Sequence, residues 1–225
     1  MKTLIGCLVL VAGCSGSGTD KARDPDASVV GTVDGPPGFP SDAQAATGLA
    51  VVWETDPVLP PILIEGGGTL LTAMLKVARC EVIGDSTSGD DRTTATNFVL
   101  GWSTTAAASS TFFWSAPPGR YSKLSVTLNA TGSDWVYEMT GNVNVMGVEQ
   151  SFVVRDTKRV DIDETFDLTL APGGVDTIRV KVDLADALKN VDWENVPVQN
   201  NVRELVSGPE LDEVRNRLKN AFDIQ

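Results

Sequence analysis

Tyr121-Ser122-Lys123-Leu124-Ser125-Val126-Thr127-Leu128-Asn129 sets Leu124, Val126 and Leu128 on one side of an extended chain and Lys123, Ser125 and Thr127 on the other. Side chains of a strand alternate between faces, so one apolar and one polar set at a period of two is the pattern of a strand covering a core. The device returns at Phe166, Leu168 and Leu170 against Thr165, Asp167 and Thr169, and at Ile178, Val180 and Val182 against Arg179, Lys181 and Asp183. Further strands are expected at residues 49–53, 98–102, 111–115, 135–140, 142–146, 151–155 and 158–162. About ten short strands parted by turn residues predict a mainly β domain, an antiparallel β-sandwich, with a barrel as the alternative.

Residues 70–83 read two ways. Leu71, Met74, Leu75, Ala78 and Val82 fit a helical stripe, whereas Leu71, Ala73, Leu75 and Val77 fit a strand. A β-rich neighbourhood favours one long strand with a bulge near Arg79. Two helices are expected towards the C-terminus. Asp183 can cap residues 184–189, and Ser207-Gly208-Pro209-Glu210 has the form of a capping box. In the second helix Leu211, Val214, Leu218 and Phe222 make one stripe, which should pack onto the sandwich.

At the other end, Lys2 precedes an apolar run at residues 4–12, too short to span a bilayer, and Val11-Ala12-Gly13-Cys14 closes it. This segment resembles the lipobox of bacterial lipoproteins. The resemblance implies a signal peptide at residues 1–13, acylation of Cys14, and membrane lipid as the first partner. Each buried lipid methylene contributes ~0.8 kcal/mol, so several chains would hold the protein firmly. Ser15 stands where such proteins carry an aspartate for inner-membrane retention, so the cell envelope, and within it the outer membrane, is the expected location. Residues 14–46 are rich in Gly, Ser, Asp, Pro and Ala and read as a flexible tether with a reach of ~30 Å. Residues 47–225 read as a single folded domain.

The chain carries 30 acidic and 18 basic residues, a net charge of −12. With no basic cluster visible, nucleic acid is excluded as a partner. Of three cysteines, Cys7 would leave with the signal and Cys14 would carry lipid, which leaves Cys80 as a buried structural thiol and the fold without disulfides. There is no histidine, so Ser-His-Asp and Cys-His machinery is ruled out. Gly66-Gly67-Gly68 lacks the lysine of a phosphate-binding loop and is read as a turn.

Ala116-Pro117-Pro118-Gly119-Arg120-Tyr121 resembles the Pro-Gly-x-Tyr strand entry of bacterial β-sandwich modules, including uncharacterised lipoproteins and transthyretin-like domains. Leu170-Ala171-Pro172-Gly173-Gly174, Val182-Asp183-Leu184 and Val191-Asp192-Trp193 are similar to the closing part of those lipoproteins, and faintly to periplasmic MbnP-like proteins associated with copper. The resemblance implies an Ig-like or transthyretin-like sandwich. The missing histidines speak against a copper site.

Two sets of residues are candidates for a metal or ligand site. Asp85, Asp90 and Asp91 share a hydroxyl-rich loop with the oxygen chemistry of Ca²⁺, although the spacing misses the EF-hand pattern. Trp114 and Trp193 are candidates for ligand binding, since consecutive Phe112, Phe113 and Trp114 must divide between faces. Parity assigns Phe98, Leu100 and Trp102, and likewise Trp135, Tyr137 and Met139, to the core. Asp161 and Asp163 should share a solvent face and guard an edge. The functional expectation is a non-enzymatic binding or structural module with an unknown protein or glycan partner. The alternative is a carbohydrate-binding or hydrolytic accessory lipoprotein.

Overall fold

The computed structural model describes residues 48–84, 92–114, 116–132 and 134–225. They form two sheets and two helices. The smaller sheet has the order β13-β10-β1-β5, from β1 (Gly48–Glu54), β5 (Thr111–Phe113), β10 (Val175–Val182) and β13 (Phe222–Ile224). The larger sheet runs β11-β12-β8-β7-β3-β6-β9, with β2 and β4 also paired to β3. Its strands are β2 (Ile62–Ile64), β3 (Gly68–Gly84), β4 (Arg92–Ser103), β6 (Gly119–Leu128), β7 (Tyr137–Val145), β8 (Val148–Asp156), β9 (Val160–Leu170), β11 (Val198–Gln199) and β12 (Val202–Leu205). Leu49, Val51 and Trp53 of the first sheet join Leu75, Leu100, Leu124 and Tyr137 of the second in one hydrophobic core.

Among the described residues most strand pairs are antiparallel, as expected, but two depart from that pattern. β1 pairs with β10 in parallel, as does β12 with β8. A parallel pair needs a long crossover, and nearly the whole larger sheet lies in sequence between β1 and β10. Alternation marks a strand but says nothing of the direction of its neighbour. The strands expected at residues 135–140 and 142–146 are one, β7, because Gly141 belongs to the strand. A Cβ there would stand 2.0 Å from the Thr69 carbonyl oxygen and 2.7 Å from the Phe152 ring, so only glycine fits.

β3 is the spine of the larger sheet. Along one edge it pairs with β2 and then β4. Along the other it pairs first with β7, through Thr69 to Leu75, and then with β6, through Val77 to Gly84. Lys76 stands at the exchange: its N–H donates to the Val136 carbonyl at 2.8 Å, while its own carbonyl accepts from Asn129 N at 3.0 Å. The bulge expected near Arg79 is present as a register shift between Val77 and Arg79 against β6. Inward-facing residues accordingly switch parity, from Ala73, Leu75 and Val77 to Cys80 and Val82. β4 switches at the same level, from Trp102, Leu100 and Phe98 to Ala95, with Asn97 at φ +56° absorbing the change.

The helices are α1 (Leu184–Ala187), capped by Asp183 accepting from Asp186 N at 2.9 Å, and α2 (Pro209–Lys219). The capping-box expectation for α2 is corrected, because Gly208 occupies the cap and no side chain bonds there. Leu211, Val214 and Leu218 are buried as expected. Phe222 leaves the helix for β13 and meets Trp53 edge to face, with ring centroids 6.4 Å apart. α2 is tied to the sheet by a buried ion pair, Arg215 Nε to Asp156 Oδ2 at 2.5 Å. Asp156 also accepts from the Tyr137 hydroxyl at 3.2 Å and Lys158 N at 2.9 Å. Burial, and then the Asp156 charge, push the Tyr137 phenol above its usual range. No described helix is long and apolar enough to cross a membrane.

Candidate functional site

The polar side of the larger sheet, opposite the shared core, is where side chains gather. Below the bulge, register lines up Thr96, Arg79, Thr127 and Asp161 across four strands, and Thr94, Glu81, Ser125 and Asp163 in the next row. The hydroxyl of Thr127 donates to Asp161 at 2.9 Å, and Arg79 donates to Glu81 at 2.5 Å. Lys123 pairs with Asp163 at 3.0 Å and Arg159 with Asp161 at 2.7 Å. The Arg159 hydrogen bond holds Asp161 below the usual carboxylate range, and the Ser125 hydroxyl, then Lys123, do the same for Asp163. A hollow of about 490 Å³ lies over these rows.

Where β6 and β7 part company a second hollow opens, of about 230 Å³. Phe98, Val99 and Ala130 give it apolar walls, and Asn97, Asn129 and Asp134 offer amide and carboxylate groups. Lys76 closes one rim: it pairs with Asp134, holding that carboxyl low, and sets its ammonium 3.8 Å from the centroid of the Trp135 ring. Ala78 and Asn129 line both hollows, so the two adjoin and are taken together as one trough. An apolar pocket with a few polar groups, continuing onto a rigid sheet, is a shape suited to holding a ligand.

The sequence candidates fall elsewhere. Asp85, Asp90, Asp91 and Cys14 lie outside the described residues. Among the described residues, no three His, Cys, Asp or Glu side chains gather in a group able to hold a metal. Trp114 follows β5 at the edge of the smaller sheet, 48% exposed and stacked on Phe112 with centroids 5.4 Å apart. Trp193 is only 8% exposed and lies against Phe152 at 4.6 Å, so its ring belongs to the core. Buried Arg203 fastens that loop by donating to the carbonyls of Trp193, Glu194 and Val196 and to Gln150. The two tryptophans are thus not brought together.

No family model, curated protein or solved structure matches the chain. The trough therefore stands on its own geometry. Its residues escaped the sequence reading for a definable reason. Parity placed Trp135 in the core with Tyr137 and Met139, but β7 begins only at Tyr137, and Trp135 stays half-buried in the preceding loop. The alternation of Lys123, Ser125 and Thr127 did mark a polar face, and only pairing with β3 and β9 adds its carboxylates and guanidinium.

Proposed function

We propose that this chain is a lipid-anchored module of the bacterial cell envelope, favouring the outer membrane, that binds a ligand or partner without catalysing a reaction. In this reading Cys14 carries the lipid, residues 14–46 are the tether, and an Ig-like or transthyretin-like sandwich displays the trough on β3, β6 and β9. The observation that carries it is the adjacency of the two hollows over a face whose charges are already paired. Paired side chains form a fixed array of donors and acceptors, which suits holding a polar surface better than shuttling protons. The carbohydrate-binding alternative draws separate support from the exposed Trp114, whose stacked partner Phe112 keeps it in place.

The test uses the full chain. Replacing Cys14→Ser should move it from the membrane to the soluble fraction, and persistent lipid labelling of that variant would sink the anchor. The released protein is then applied to a glycan array beside versions carrying Ser125→Tyr, which fills the trough, or Trp114→Ala. Signal lost with Ser125→Tyr alone supports the trough, and signal lost with Trp114→Ala alone transfers binding to the aromatic pair. Silence across the array removes the carbohydrate reading.

A further inference from the structure

The fold assembles a basic site that the sequence does not display. Arg159 lies just before β9, whereas Arg215 and Lys219 are one helical turn apart on α2, more than fifty residues away in the chain. Packing of α2 against β9 brings the three around a hollow of about 230 Å³, floored by Val160 and bordered by Asn216. Asp161 is the carboxylate on its rim. Around it Lys158 adds a cation, and Asp156 and Asp212 add carboxylates through their pairs with Arg215 and Lys158. Four cations thus face three carboxylates, an excess of positive charge in a chain whose net charge is −12.

Two observations give that excess a direction. Lys219 is exposed and, among the described residues, takes part in no ion pair, although its charge helps hold Asp161 low, so its ammonium can turn to a ligand. Arg215 spends Nε on Asp156 and Nη1 on Asp212, and its Nη2 is buried with no acceptor. An N–H left without a partner in a buried position is unfavourable, and an oxygen delivered there would offset part of that cost. A guanidinium and an ammonium lining the same small hollow form the donor set for an oxyanion.

We infer that this hollow between β9 and α2 is a binding site for a phosphate group, held by Lys219 and Arg159 with Arg215 behind them. The site is separate from the trough's fork, although Arg159 and Asp161 border both the hollow and the neighbouring sheet face. It does not depend on the proposed role of that face.

The experiment is a thermal-shift and calorimetric titration of the full chain, carrying Cys14→Ser, with inorganic phosphate and with glycerol 3-phosphate, each against sodium chloride at matched ionic strength. The melting temperature should rise with both phosphates and not with chloride. Lys219→Met and Arg159→Met should each weaken binding by at least about fivefold, roughly one charge-assisted contact. Lys189→Met, at a lysine that does not line the hollow, should leave it unchanged. Arg215 is left alone because it holds α2 to the sheet. Equal melting in phosphate and chloride, or a Lys219→Met protein that binds as tightly as its parent, overturns the site. Binding of the ester but not of inorganic phosphate also overturns it, since recognition would then lie in the carrier.

Discussion

Replacing Asp156→Ala tests whether the ion pair beneath α2 holds the helix on. Asp156 is 2% exposed and accepts three hydrogen bonds, from Arg215 Nε at 2.5 Å, Lys158 N at 2.9 Å and the Tyr137 hydroxyl at 3.2 Å. Truncation strands a guanidinium whose side chain is 15% exposed and leaves a buried phenol without its acceptor. Removing one member of a buried pair costs about 3–5 kcal/mol. Asp212 still faces Arg215 Nη1 at 2.5 Å and compensates part of the charge, so the low end applies, about 3 kcal/mol. For a chain of this size that lowers the melting temperature by about 6–12 °C. The assay is urea unfolding followed by tryptophan fluorescence, repeated for Arg215→Met and for the double variant. If the stranded charge is the source of the loss, the double variant should fall short of the sum of the single ones by about 2 kcal/mol. A loss below about 1 kcal/mol for Asp156→Ala, or additivity in the double variant, would refute the reasoning.

Two further outcomes follow from packing. Gly141→Ala should destabilise by about 3 kcal/mol, the upper end for overpacking, because one of the atoms it meets is the Thr69 carbonyl oxygen, which cannot rotate away; urea unfolding measures it. Cys80 is buried, and its thiol is pushed up to about 12 by that burial and then by the Glu81 charge. A folded-state value above the unfolded one contributes stability that is complete below the ordinary thiol range of about 8.5 and is lost as pH climbs towards the folded value. The stability advantage of the parent over Cys80→Ala should therefore shrink between about pH 8.5 and 11. A constant advantage across that range would show the thiol to be free to ionise in the fold.

Much of the fold can be read from local chemistry. Leu124, Val126 and Leu128 face the core as their alternation requires, Asp161 and Asp163 are exposed on the edge strand β9, and Asp183 caps α1. The bulge beside Arg79 was also within reach, because the apolar residues of β3 change parity there. Other features depend on partners far away in the chain. The direction of β1 against β10 is set by a crossover, and β13 is three residues long, too short for any period to show. Phe222 fits the α2 stripe by spacing, yet Asn220 ends the helix and Phe222 finds Trp53 instead. The trough and the basic hollow are both products of such pairing. Lys76, Asn97 and Asn129 are unremarked polar residues in sequence, as are Arg159 and Lys219, until the sheet forks and α2 docks.

The fork also governs how the molecule comes apart. Lys76 gives its N–H to the β7 side and its carbonyl to the β6 side, so two successive peptide units at one residue terminate one ladder and begin the other. Peeling β7 and β8 away would unlatch the residue that seats β6, while releasing β6 and β9 would unzip the end of β7. The expectation is that the two halves of the larger sheet open together as one foldon. Hydrogen exchange at Lys76 and Asn129 would then report the global unfolding reaction, not a local breath of the hollow beside them.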